Sequence, residues 1–134
     1  MSQGGSTKPG APGVTALAAR RLLLALPGVV EGLHYSFPAF MVAGKFLARF
    51  RDNDQVLVVR LSSIADREVL MRLDPRAFFF TEHYRNFPAV LIRLAEIHRS
   101  RLAEVLENAR ALVASRGPGN KKRATRRGRR RRAP

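Results

Sequence analysis

Cysteine is absent from all 134 residues, which excludes a disulfide framework, a thiolate metal site and thiol redox chemistry. Such a composition fits a reducing, cytoplasmic setting. Long hydrophobic runs are missing as well. The longest strongly apolar stretch, Leu22 to Leu26, is far short of the ~18 to 20 residues that cross a bilayer, so no membrane partner is expected. The opening stretch Met1 to Gly13 is rich in Gly, Pro and Ser and shows no apolar run behind a basic segment, so it does not read as a secretory signal. Catalytic signatures are lacking too: there is no G-x-S-x-G elbow, P-loop, H-E-x-x-H or dinucleotide fingerprint, and neither an enzyme nor a cofactor is expected. Three widely spaced histidines, His34, His83 and His98, give no metal-ligand spacing, and no metal is expected.

Acid is scarce where base is dense. The chain carries 25 Lys and Arg against 10 Asp and Glu, a net charge of +15. Ten of the bases, Arg116, Lys121, Lys122, Arg123, Arg126, Arg127, Arg129, Arg130, Arg131 and Arg132, fall after residue 115 with no acid among them, which leaves +5 for residues 1–115. A segment of that kind binds polyanions by releasing their condensed counterions, and it carries no hydrophobic residue to insert into a membrane. Nucleic acid is therefore the expected partner of these tail residues, the alternative being an extension that adds only solubility. Nothing in the sequence fixes an oligomeric state.

Composition divides the chain into a disordered leader (1–13), one domain (14–116) and a disordered Arg/Lys-rich tail (117–134). Within the domain, Thr15 reads as the N-cap of a first helix running to Leu26, with Ala19, Leu22, Leu23 and Leu26 on one face and Pro27-Gly28 ending it. From Leu33 the apolar period falls to two. Phe40 and Val42 lead into a tight turn at Ala43-Gly44, after which Phe46, Ala48 and Phe50 alternate with Leu47, Arg49 and Arg51. A second turn at Asp52-Asn53-Asp54 precedes the strand Gln55 to Leu61. Ser63 and Asp66 resemble a capping box, and Val69, Leu70 and Leu73 are the expected buried face of the helix that follows. Two strands, Phe78 to Phe80 and Val90 to Leu94, flank the segment Thr81 to Ala89, and a last helix begins at Ser100 as N-cap and repeats Leu102, Val105, Leu106, Ala109, Leu112 and Val113. The predicted class is α+β, a two-layer antiparallel sheet packed by helices in the order α-β(3–4)-α-β(2)-α.

On the strands, Arg49, Arg51, Arg60 and Arg93 alternate away from the apolar positions and can share one sheet face. With Tyr35 and Tyr84 as neighbours, such a face suits phosphate binding and base stacking; it equally suits a sheet face that merely meets water, and Lys45 at the hairpin reads both ways. The Thr81 to Ala89 segment projects His83, Tyr84 and Arg85, or is packed down by Tyr84 and Phe87 with Pro88 fixing its exit. A pocket for an anionic ligand or a protein segment, lined by His83, Tyr84, Arg85 and Arg93, is the alternative function, and His83 as an acid or base with a tyrosine or arginine partner is a third.

Several motifs in order bear a resemblance to a known family: Leu26-Pro27-Gly28-Val29 with Glu31, Phe37-Pro38-Ala39-Phe40 with Gly44-Lys45, Asp74-Pro75, Phe78-Phe79-Phe80-Thr81, and above all His83-Tyr84-Arg85-Asn86-Phe87-Pro88-Ala89-Val90-Leu91-Ile92-Arg93-Leu94. From Pro27 to Ser115 the chain resembles the MmcQ/YjbR family. The resemblance implies a CyaY-like α+β fold and a non-enzymatic, DNA-binding role through a double-wing mode. It makes Lys45, Arg49, Arg60, His83, Tyr84, Arg85 and Arg93 candidates for the functional surface. Three features depart from the family pattern: Phe37 replaces a small or polar residue, Arg110 replaces a frequent tryptophan, and the arginine-rich tail is longer than usual.

Overall fold

A computed structural model describes residues 12–115; the expected tail, and all but the last two residues of the expected leader, lie outside the described residues. The first helix, α1 (Ala16–Leu24), opens where the Thr15 hydroxyl accepts from the Ala18 amide at 3.0 Å. It ends two residues before Leu26, and Leu22 and Leu26 only partly join buried Ala19 and Leu23 in the core. Just before it, Gly13 and Val14 donate backbone hydrogen bonds to the carbonyls of Ile97 and Leu94, both 2.8 Å, stitching this segment to the stretch between the last strand and the last helix.

Four strands follow as a meander: β1 (Val29–His34), β2 (Phe37–Val42), β3 (Lys45–Arg51) and β4 (Val56–Arg60). The turn between β2 and β3 has Ala43 and Gly44 at φ 53° and 76°, the left-handed pair that matches strand twist, and the next turn has Asp52, Asn53 and Asp54 all at positive φ. Both turns fall where the sequence predicts them. The strand β1 starts four residues before the predicted change of period. Its boundary is hidden because the turn from β1 to β2 is made by Tyr35 and Ser36, at φ 52° and 71°, with no Gly, Asn or Pro to mark it.

The helix α2 (Ile64–Leu73) then leads to β5 (Phe78–Phe79), a single 3₁₀ turn (Glu82–Tyr84), β6 (Ala89–Arg93) and α3 (Arg99–Ser115). The Ser63 hydroxyl caps α2 by accepting from the Asp66 amide at 3.1 Å. One sheet of six antiparallel strands results, in the order β1-β2-β3-β4-β6-β5, and the domain is α+β as predicted. Phe80 leaves the ladder instead of extending β5, and α3 begins at Arg99, ahead of the predicted cap Ser100, with the Leu102 amide already bonded to the His98 carbonyl at 3.0 Å.

The helices cover one face of the sheet. Phe40, Val42, Leu47, Ala48, Leu57, Val59, Phe78, Val90 and Ile92 pack there against Leu102, Val105, Leu106, Ala109 and Val113 of α3 and Ala19 and Leu23 of α1. Leu57, Val59, Val90 and Ile92 are fully excluded from solvent, so this face supplies most of the hydrophobic free energy. One expectation fails here. Val69 and Leu73 of α2 are each 53% exposed, and the residue of that helix buried to 2% is Arg67.

Candidate functional site

Register decides which side chains reach the other, open face. Arg49 pairs with Val58, Arg51 with Val56, Arg60 with Ala89 and Arg93 with Val56, and Val56, Val58 and Ala89 all belong to the open side, so the four sheet arginines do share that face. Lys45 does not join them, because it pairs with Val42, whose side chain belongs to the covered face.

A β-bulge refines the alternation predicted for β3. Phe40 pairs with Ala48 but Met41 pairs with Phe46, leaving Leu47 as the extra residue. Leu47 and Ala48 therefore both enter the covered core, while Phe46 joins the open face with Ala39, Val56, Val58, Tyr84, Ala89 and Leu91. Strict period-two counting puts Phe46 with Ala48 and Phe50, on the wrong side.

The segment after β5 folds back across this open face. Tyr84, 8% exposed, is packed into its apolar patch, and the Pro88 carbonyl accepts from the Leu61 amide at 2.8 Å. What pins the segment is Arg67, reaching over from α2. Its Nη1 donates to the carbonyls of Tyr84 (2.8 Å), Phe87 (3.2 Å) and Ala89 (3.2 Å), and its Nη2 donates to that of Arg85 (2.9 Å). Its guanidinium also lies 4.0 Å from the centre of the Phe80 ring. Burial pulls the Arg67 pKa down from its ordinary value, the nearby Glu68 opposes this and Arg85 reinforces it. The charge is thus spread over four carbonyl dipoles and a ring rather than matched by a carboxylate.

Sequence reasoning overlooked Arg67. A usable signal is present, since Arg67, Leu70 and Met71 stand at i, i+3 and i+4, the spacing of a buried face, and Leu70 and Met71 do pack on the core.

Between this segment and the β1–β2 hairpin lies a cleft of about 380 Å³, lined by His34, Tyr35, Phe37, Phe46, Arg49, His83, Tyr84 and Phe87. His34 stacks on Phe46 (centroids 4.7 Å apart, 30° between planes) and meets Tyr35 edge-on at 4.5 Å. Across the cleft His83 meets Tyr84 edge-on at 4.9 Å, and Tyr84 stands 6.3 Å from Phe87. The Arg49 guanidinium lies 5.5 Å from the centre of the Phe37 ring, and its Nη2 is 3.5 Å from the Tyr84 hydroxyl. No carboxylate is among the lining residues.

Guanidinium over ring is the recurring unit of this face. Arg60 lies 5.3 Å from the centre of Phe87, and Arg93 lies 4.0 Å from that of Phe79 while donating to the Arg76 carbonyl at 2.9 Å. Tyr35, 85% exposed at the cleft mouth, holds the left-handed conformation, which costs an L residue about 1–2 kcal/mol. That cost sits beside the cleft, and retained backbone strain clusters at ligand-binding sites.

The predicted pocket of His83, Tyr84, Arg85 and Arg93 is not assembled. His83 and Tyr84 line the cleft, but Arg85 turns to Glu82 in a two-point pair (2.6 and 2.9 Å) and Arg93 stands on Phe79. The hydrogen bond from Arg85 holds the Glu82 carboxyl below its ordinary range. Of the features that depart from the family pattern, Phe37 lines the cleft, and Arg110 reaches the Pro27 carbonyl at 3.4 Å. Among the described residues, no three His, Asp or Glu side chains converge as metal ligands, and no helix is long and apolar enough to cross a membrane.

Fold and site together define a small α+β protein whose sheet is covered by helices on one side and carries an arginine and aromatic cleft on the other. The family model YjbR matches residues 24–112, and the chain belongs to the YjbR family. No curated protein and no solved structure matches it.

Proposed function

We propose that this protein binds nucleic acid through the open face of its sheet, as a binding module rather than an enzyme, and that the basic C-terminal segment adds phosphate affinity without sequence preference. The observation that carries the reading is the cleft, where Arg49 stands among aromatic rings and no carboxylate lines the walls. Arginine supplies a planar, permanently charged partner for phosphate, rings supply stacking surfaces, and a wall without acid does not repel a polyanion. Arg60 and Arg93 extend the same chemistry along the face. The ten bases after residue 115 supply counterion release, which steers and strengthens binding but reads no sequence.

Fluorescence anisotropy with single-stranded and duplex DNA, across a salt series, tests this on the full chain, on a chain ending at Ser115, and on full chains carrying Arg49→Gln or Arg60→Gln. Truncation is expected to weaken binding and flatten the salt dependence, since each phosphate contact contributes about −0.7 (single strand) to −0.9 (duplex) to the log–log slope. The arginine variants are expected to weaken binding by the full chain with the tail intact. Retention of full affinity by both arginine variants would remove the domain from the interface and leave the tail as the sole binder.

The cleft's concavity favours a second reading, a small aromatic anion as ligand. Nucleic-acid affinity lost on truncation and unaffected by the cleft variants would favour it.

A further inference from the structure

We infer that the cleft receives one unpaired nucleobase, with Arg49 taking the phosphate attached to it. This rests on the nucleic-acid reading and makes it specific. A volume of about 380 Å³ sits at the small end of the range of about 300–1,000 Å³ typical of small-molecule sites, which suits one nucleotide rather than a helical segment. Its walls are flat. Phe37 and Tyr35 come from the hairpin, Tyr84 and Phe87 from the Arg67-anchored segment, and Phe46 lies between them with His34 stacked on it. Aromatic rings contributed from both sides offer stacking surfaces to a planar guest, and every base has a face that stacks.

Polar groups are few and placed at the edges. Two imidazoles and the Tyr84 hydroxyl can meet the donors and acceptors of a base edge, and Arg49 is the one charged group in the lining. A guest with one anionic point next to a flat, neutral ring system matches that pattern. A base inside a duplex does not fit, because it must first be unpaired and unstacked, so single strands are preferred. The hairpin tip supports the same assignment. The other two turns of the meander use small or polar residues, Ala43-Gly44 and Asp52-Asn53-Asp54, whereas the turn at the cleft keeps Tyr35 at φ 52° with its ring 85% exposed.

The two tyrosines of the chain both line the cleft and there is no tryptophan, so intrinsic emission of the full-length protein reports on this site alone. The experiment compares four probes on the full chain: oligothymidylate, an oligomer of the same length and charge made wholly of abasic sugar-phosphate units, the corresponding duplex, and thymidine monophosphate. Expected is at least fivefold tighter binding of oligothymidylate than of the abasic strand, the size of one base-stacking contact, with a change in tyrosine emission that the abasic strand does not produce. Phe37→Ala, at a residue 58% exposed, is expected to collapse that ratio towards one by weakening oligothymidylate binding, with the melting temperature little changed. Thymidine monophosphate that produces the same tyrosine change as the strand assigns the cleft to free nucleotide; a tyrosine change produced by the strand and not by the monophosphate assigns it to single-stranded nucleic acid. Equal affinity for based and abasic strands, both strongly salt-dependent, overturns the base site and leaves the nucleic-acid reading standing. Absence of binding to every probe overturns both.

Discussion

The two faces of this sheet are closed by different means. On the covered face, aliphatic and aromatic side chains from six strands meet three helices, and water is excluded by area alone. On the open face a smaller apolar patch is closed by a segment containing one 3₁₀ turn, held in place by a single buried guanidinium bonded to four backbone carbonyls. Area-based closure tolerates no guest. Closure by a polar clasp leaves a cleft beside it, and the segment that makes the cleft can be tuned without disturbing the core. Loops set on a rigid scaffold commonly carry function for this reason.

The covered face carries the largest expected effect of a single substitution. Phe78→Ala removes a ring that is 1% exposed in the core and is expected to destabilise by about 3–5 kcal/mol, read as a lowered urea midpoint with an unchanged slope. A slope that falls as well would mean that the folded state had loosened rather than merely lost a ring.

Next comes Arg67→Ala. Removing a charged donor from four carbonyls forfeits hydrogen bonds worth about 1.5–3 kcal/mol each at most, but the segment can swing out and rehydrate, so the expected net loss is about 2–4 kcal/mol. The distinguishing result is local. Amides of Thr81 to Phe87 should exchange at rates approaching those of an open loop, while those of β4 paired to β3 keep their protection. Arg67→Lys is expected to behave almost as badly, since an ammonium cannot present the planar fork that reaches these carbonyls. Uniform loss of protection across the sheet would show that the clasp supports the core and not only the cleft.

How much of this was legible in the sequence follows the same division. The covered face announces itself by period: Leu102, Val105, Leu106, Ala109 and Val113 repeat at helical spacing and are all buried, and the alternation in β4 correctly separates Leu57 and Val59 from Arg60. The open face is written in exceptions. A bulge at Leu47 reverses Phe46, a turn of Tyr35 and Ser36 carries no Gly, Asn or Pro, and Arg67 occupies a core position as a charge. Period, turn composition and polarity each mislead there because tertiary contacts override them. The arginine stripe was readable from alternation alone. The pairing of Arg85 with Glu82 was not, although Glu82 stands three residues away, because exposed pairs depend on the local 3₁₀ turn that brings them together.

A third change sharpens the contrast by running against the usual sign. Tyr35→Asn places a residue that tolerates the left-handed region at a hairpin position now held by an aromatic, and is expected to stabilise the fold by about 0.5–1 kcal/mol. The same change removes a ring from the cleft mouth, so nucleic-acid affinity should fall as thermal stability rises. A variant that gains stability and keeps full affinity would detach the strained tip from function.

The smallest effect belongs to Glu82 and Arg85, both exposed, and is best read through pH. Because Arg85 holds the Glu82 carboxyl below its ordinary range, the pair's stabilisation is complete above the unfolded carboxylate pKa and is lost as pH falls through the lower folded value. The difference in melting temperature between wild type and Glu82→Gln should therefore be small near neutrality, vanish on acidification and shrink in high salt, as solvent-screened pairs do. Glu82→Gln also releases the Arg85 guanidinium beside the cleft. Nucleic-acid affinity is then expected to rise slightly, most visibly at low salt, since one acid near the site is gone and one arginine is free to meet phosphate. A fall in affinity would mean that the Glu82 pair positions the His83 and Tyr84 wall, and that this wall matters more to binding than the additional charge.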